Sequence, residues 1–184
     1  RTKEAVHKES GVLMKLNVDK CYFSPRLVSE RLRIANLVQK DEKVLVMFSG
    51  VAPYPLILAK FSPAKLVVGI EKNPVAHRYA VENLIINKIP KEKVVLFNAD
   101  VCKKLPCMKE KFDRVVMPLP KTGEIFLSLV LKVLKKKGVV HLYQFVEKEN
   151  FGLVAKAVFD ICAKAKKKCI LQRIVKAGQY APRK

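Results

Sequence analysis

From residue 43 onward, short β-branched apolar runs alternate with segments whose apolar positions recur at helical spacing. The runs predict strands over 44–48, 66–70, 94–98, 112–117 and 139–145, and a last strand over 169–175. Between them the spacing predicts helices over 55–61, 74–87, 124–134 and 150–164. Strands alternating with helices specify an α/β fold, an open and mainly parallel sheet with helices on both faces. The residues before this block read differently. Apolar and polar positions alternate around Ser10-Gly11, which predicts a β-hairpin with Val12, Met14, Leu16 and Val18 on one side. Ser24 then suits a helix cap and Pro25 the first helical position. The helix they open carries an apolar face of Leu27, Leu32, Ile34, Ala35 and Val38 and should end near 39–40. No repeat or linker is present, so residues 1–40 form an N-terminal appendage (hairpin and helix) on one main domain, 41–184. The last residues, 177–184, read as a loop that ought to lead somewhere, so that domain is either whole or truncated at its C-terminal end.

The stretch 43–73 organises the rest. Its first strand meets the turn Ser49-Gly50-Val51-Ala52-Pro53, a helix follows, and the second strand ends on Glu71. Strand, tight turn, helix, strand and acid form the βαβ layout of a nucleotide-type site, where turn peptides approach the ligand and the acid accepts from two ribose hydroxyls. The G-x-G-x-x-G fingerprint is missing, with Gly50 alone present, which favours a ligand without a pyrophosphate, such as S-adenosylmethionine. Asp100 ends the third strand and suits an exocyclic amine, with the neighbouring Val101 N–H available to a ring nitrogen. Taken singly, Glu71 and Asp100 also fit helix caps or solvated loop acids.

Composition narrows the partner. The chain has 184 residues, half of them hydrophobic, and 37 Lys and Arg against 16 Asp and Glu give a net charge of +21. That excess points first to a polyanion, with a solvated lysine-rich surface as the alternative. The runs Lys132 with 135–137 and Lys164 with 166–168 fall at predicted helix ends, where lysine is favoured whatever it binds. No apolar run is long enough to span a bilayer, and neither end resembles a signal peptide. Five scattered cysteines without a C-x-x-C pair, and three histidines without ligand spacing, suggest free thiols in a cytoplasm and no metal.

Several motifs in order along the chain carry a family resemblance: His7-Lys8-Glu9-Ser10-Gly11, Tyr22-Phe23-Ser24-Pro25-Arg26, Glu30-Arg31, Phe48-Ser49-Gly50-Val51, Glu71-Lys72-Asn73-Pro74, Asp113-Arg114-Val115-Val116-Met117 and Tyr180-Ala181-Pro182-Arg183. Together they resemble the archaeal and eukaryotic tRNA methyltransferases that modify N1 of the guanosine 3′ of the anticodon. They also resemble the relatives of wybutosine synthesis, which transfer an aminocarboxypropyl group. The resemblance implies a class I methyltransferase domain, Rossmann-like, using S-adenosylmethionine on tRNA as a monomer. It implies cofactor contacts from Phe48, Ser49, Gly50, Val51 and Pro53, from Glu71, Lys72 and Asn73, and from Asp100 and Val101. It puts the general base on Glu30, with Arg26 beside it, and the fourth-strand Asn-Leu-Pro motif on Pro118, Leu119 and Pro120. RNA contacts fall on Tyr22, Arg31 and Arg183.

Guanine N1 carries a proton, so a desolvated carboxylate with a raised pKa suits its removal. Glu30 can equally be a helix-start carboxylate or a partner for Arg31 or Arg33. The chain departs from the family pattern at Pro118 (for asparagine), Ala52 (for glycine) and Val46 (for an acid). These departures keep two rivals open: aminocarboxypropyl transfer, and a non-catalytic RNA-binding paralogue.

Overall fold

Ser10 and Gly11 both take positive φ, 49° and 72°. A two-residue turn of that hand matches the twist of antiparallel strands, so β1 (Glu4–Glu9) pairs with β2 (Val12–Asn17) as the alternation predicts. Val12, Met14 and Leu16 are buried, whereas Val18 lies past the end of β2 and is 57% exposed. The computed structural model describes residues 3–119 and 123–177.

A short 3-10 turn at Pro25–Leu27 precedes α1 (Val28–Leu37). Then come β3 (Lys43–Met47), α2 (Pro53–Phe61), β4 (Leu66–Glu71), α3 (Pro74–Ile86) and β5 (Val94–Asn98). A four-residue α4 (Val101–Lys104), absent from the sequence reading, leads to β6 (Phe112–Met117). The rest is α5 (Leu127–Val133), β7 (Leu134–Leu142) and α6 (Phe151–Lys164). Pro53 and Pro55 sit in the first turn of α2, where the amide hydrogens they lack have no helical acceptor anyway.

The main sheet runs β5-β4-β3-β6-β7, every pair parallel. Alternate residues of each run feed opposite faces, which explains why the central strands are apolar throughout. Val44, Val46, Val67, Val94 and Val116 pack beneath α1, α2 and α3. Leu45, Met47, Val68, Ile70, Val115 and Met117 pack against α5 and α6.

The hairpin is tied to α3 by two amides. Asn83 accepts from the Lys15 N–H at 2.8 Å and donates to its carbonyl at 3.0 Å; Asn87 does the same for Leu13 at 2.9 and 2.6 Å. Two residues along a strand advance about 6.8 Å and four along a helix about 6 Å, so side chains at i and i+4 can satisfy alternate peptides of a strand edge.

Two strand expectations in the main sheet fail. The fifth strand begins at Leu134 rather than 139 and reaches Leu142, with a register slip between Phe112 and Arg114 that absorbs the lysine run. Residues 169–175 form no strand: among the described residues β7 is the last strand of the sheet and none pairs with this run, and a β-branched run without a ladder partner stays irregular. Ile170 there is 86% exposed.

Gly69 is tightly enclosed. A Cβ on it meets Leu96 Cδ2 at 2.6 Å and Ser49 Oγ at 3.0 Å. Gly69→Ala is therefore expected to destabilise the fold by about 1–3 kcal/mol, as overpacking does. It also pushes Ser49 and its turn outward; urea unfolding with unchanged slope measures the first effect, and a parent-like midpoint contradicts it.

Candidate functional site

Strand order reverses between β3 and β6, and ligands of open parallel sheets bind outside the carboxyl ends at such a point. The turn after β3 is built for this place. Phe48, Gly50 and Ala52 take positive φ of 54°, 57° and 70°, alternating with ordinary residues. Such alternation turns peptide N–H groups into an anion-binding concavity. Here the anion is the protein's own: the Glu71 carboxylate accepts from Gly50 N–H at 2.8 Å and from Asn73 N–H at 2.7 Å. A phosphate therefore meets a carboxylate in this corner, which agrees with the missing dinucleotide fingerprint.

Ser49 is buried and its N–H donates to the Ile70 carbonyl at 3.0 Å. Val51 is buried, and its carbonyl accepts from Asn83, so the amide that holds the hairpin also holds the turn. Pro53 opens α2. Asn73 caps α3 through Val75 N–H at 2.9 Å and donates to the Lys20 carbonyl at 2.8 Å, tying the turn after β2 to the start of α3. Asp100 caps α4 through Cys102 N–H at 2.9 Å and pairs with the exposed Lys72 at 2.9 Å, which holds its carboxyl below the usual range. Val101 is buried at the start of α4, and its N–H has no acceptor among the described residues. Phe48 packs edge-on against Phe126 with centroids 5.1 Å apart.

A second group lies at the carboxyl ends of β6 and β7. Glu30, buried on α1, accepts from Arg33 Nε at 2.6 Å, Arg33 Nη2 at 2.7 Å and the Tyr143 hydroxyl at 2.5 Å. Tyr143 Oη lies 2.8 Å from Tyr54 Oη. Met117 is opposite Leu142, so Pro118 and Tyr143 follow adjacent strand ends. Burial pushes the Glu30 carboxyl up, but Arg33 and Tyr143 outweigh it, and it ends below the ordinary glutamate value. The expectation of a raised pKa is thus corrected: desolvation comes with compensating donors. Burial also pushes both tyrosines up, and it pushes His141 down to about 4 with help from Arg114.

The proposed RNA contacts divide. Tyr22 is 79% exposed and its carbonyl stands beside Gly50, while Arg26 is exposed on the short turn before α1. Arg31 is only 1% exposed. It forms a two-pronged pair with Glu9 at 2.6 and 2.5 Å and lies over the Phe23 ring, so it cannot reach a phosphate. Arg33 is committed to Glu30. Pro118 and Leu119 are half-buried beyond β6; Pro120 and Arg183 lie outside the described residues. Among the described residues no cluster of His, Cys, Asp and Glu could hold a metal, and no helix is long and apolar enough to cross a membrane. Sequence reasoning missed Tyr143 as a partner of Glu30, and Tyr54 as the partner of Tyr143 behind it. Only Arg33, one helical turn from Glu30, was within reach of spacing rules.

An all-parallel five-stranded sheet in this order, with its acid-closed turn at the switch point, has the class I methyltransferase architecture. The chain belongs to the TRM5/TYW2 methyltransferase domain family, whose family model matches residues 5–171. It is 34% identical over 183 residues to tRNA (guanine(37)-N(1))-methyltransferase Trm5b of Pyrococcus abyssi, covering 98% of this chain and 52% of that protein. A crystal structure of Trm5b from Pyrococcus abyssi superposes with a TM-score of 0.89 at 34% identity, over all of this chain and 53% of that one. The chain is also 35% identical over 181 residues to a tRNA(Phe) (4-demethylwyosine(37)-C(7)) aminocarboxypropyltransferase of Methanocaldococcus jannaschii, covering 97% of this chain and 71% of that protein. The Methanocaldococcus jannaschii TYW2 structure in complex with AdoMet has a TM-score of 0.88 at 33% identity, over 99% of this chain and 82% of that one. The chain thus spans about half the length of the Pyrococcus methyltransferase it matches.

Proposed function

We propose that this chain is the catalytic part of an S-adenosylmethionine-dependent tRNA methyltransferase acting on N1 of the guanosine 3′ of the anticodon. The observation that carries the reading is that Tyr54, which directly follows the Glu71-closed turn, hydrogen-bonds to the same Tyr143 that donates to Glu30, setting turn and Glu30 cluster side by side. The turn fits the cofactor: Glu71 keeps outward lone pairs for ribose hydroxyls, and the Val101 N–H lacks an acceptor beside Asp100. Phe48, Ser49, Gly50, Val51 and Pro53 form one wall, with Lys72 and Asn73 at the mouth. When bound, the cofactor supplies a methyl group on an electrophilic sulfonium.

The chain's own residues supply the rest. Glu30 takes the proton from guanine N1, freeing the lone pair that attacks. Its low pKa keeps it ionised at neutral pH, at the expense of basicity. Pro118 offers its carbonyl to the base, Tyr22 a stacking face, and Arg26 a phosphate contact. Free thiols at all five cysteines accord with a reducing cytoplasm, where the protein works as a monomer without a metal.

Mass analysis of tRNA incubated with protein and cofactor tests this: one added methyl is expected at that guanosine. An added aminocarboxypropyl group selects the second reading, favoured by Pro118, which has no amide to hold the base, and by the 35% identity to the Methanocaldococcus transferase. Glu30→Gln is expected to lower single-turnover rate by about 10²–10⁴-fold with both affinities kept. Full activity of that variant removes Glu30 as the base.

A further inference from the structure

Counting the hydrogen bonds of Glu30 shows which part of it is available for chemistry. An ionised carboxylate offers about four lone-pair positions. Oε1 accepts from Tyr143 at 2.5 Å and from Arg33 Nη2 at 2.7 Å, so both of its positions are taken. Oε2 accepts only from Arg33 Nε, at 2.6 Å, among the described residues. One lone pair, on Oε2, is left for a substrate proton.

The direction of the hydroxyl chain follows. Tyr143 has one hydrogen and gives it to Glu30, so across the 2.8 Å contact Tyr54 must donate to Tyr143. Tyr54 on α2, Tyr143 beyond β7 and Glu30 on α1 thus form a one-way chain ending on Oε1. Donors in such a chain polarise one another. The Tyr54 and Tyr143 rings also meet edge-on, with centroids 6.3 Å apart, which fixes both hydroxyls.

We propose that Tyr143, backed by Tyr54, is a positioning residue that fills Oε1 of Glu30 and so aims its remaining Oε2 lone pair at the target base. The inference rests on Glu30 being the base. Neither tyrosine exchanges a proton with substrate: the N1 proton passes to Oε2 and later to water, while both phenols keep their hydrogens. The other charged or titratable groups facing this cluster are Arg33 on α1, His141 on β7, Arg31 on α1 (held by Glu9) and Arg114 on β6 (held by Glu42 and His141). His141 accepts from Arg114 at 2.8 Å and is pushed down to about 4, so it is neutral near pH 7 but changes charge in the same acid range as Glu30. The carbon-13 signal of the carboxyl itself assigns the Glu30 midpoint.

The test combines two readouts on the protein and its Tyr143→Phe, Tyr54→Phe and Glu30→Gln variants. Titrating the Glu30 carboxyl by carbon-13 NMR without cofactor should show its midpoint rising in Tyr143→Phe, because a donor to the ionised form is lost. Tyr54→Phe should raise it less. Single-turnover rate against pH should then show the acid limb moved upward by roughly one unit in Tyr143→Phe, equal to about a tenfold loss on that limb. Cofactor and tRNA affinities should stay within twofold. An unmoved midpoint in both tyrosine variants overturns the proposal, as does a uniform loss of activity with an unmoved limb, which a merely structural role gives. Should Tyr143→Phe fail to fold, the Tyr54→Phe midpoint decides. Loss of activity in Glu30→Gln with unmoved midpoints removes the role of Tyr143 and leaves the base standing. Full activity in Glu30→Gln removes the base and this inference with it.

Discussion

Glu71→Ala is expected to weaken S-adenosylmethionine binding by about two orders of magnitude while leaving tRNA affinity within twofold. The carboxylate has two duties. It holds the turn through the peptides of Gly50 and Asn73, and its outer lone pairs are the ribose acceptors of the proposed site. Hydrogen bonds to a charged group contribute about 1.5–3 kcal/mol each. Losing the ribose contact and loosening the turn together amount to about 3 kcal/mol, or roughly a hundredfold in Kd. Glu71→Gln should fall between, since an amide keeps one acceptor but points a donor at one of the two peptide N–H groups. Titration calorimetry reads the loss directly. A Kd within twofold of the parent removes Glu71, and with it the proposed cradle.

The second large effect is on stability. Glu9→Ala is expected to cost about 3–5 kcal/mol, because it strands the Arg31 guanidinium without its carboxylate in the interior. That is a large part of the 5–15 kcal/mol that typically holds a domain together. The double variant Glu9→Leu with Arg31→Met should recover most of the loss, since apolar replacement of a whole buried pair is often neutral. Denaturant midpoints of the two singles and the double separate these outcomes; equal losses in single and double variants refute the pairing argument. Measured at fixed salt on folded protein, the recovered double variant should bind tRNA as the parent does. The exposed Arg26, by contrast, should reduce the salt slope by about one when replaced by alanine.

The left-handed Ala52 illustrates how a departure from the family pattern is tolerated. A residue with φ of 70° carries strain of about 1–2 kcal/mol unless it is glycine. Ala52 is fully buried, and its methyl contributes an offsetting part of that. The turn therefore keeps its shape without glycine at position 52, and Gly50 sits beside the Tyr22 carbonyl.

Periodicity revealed the parallel sheet, the hairpin and the place of the turn after β3. Each depends on local physics: β-branched runs of strand length, prolines that suit a helix start, and a two-residue turn with positive φ. Glu71 and Asp100 were legible because the ends of successive parallel strands necessarily share one edge of the sheet. Arg31 was misread as an RNA contact because a basic residue beside the site looks the same whether it points outward or is buried against Glu9. The absent strand over 169–175 was misread because β propensity cannot tell whether a partner edge is there to receive it.

What the chain order alone decided, then, is the layered α/β architecture and the sheet edge shared by the turn after β3, Glu71 and Asp100. Only the folded chain could decide which charges pair. Tyr143 stands 113 positions from Glu30 and Glu9 stands 22 from Arg31, separations that no spacing rule spans. Hydrogen-bond direction and burial are properties of juxtaposed surfaces, and these arise only when β7 and the hairpin close around α1.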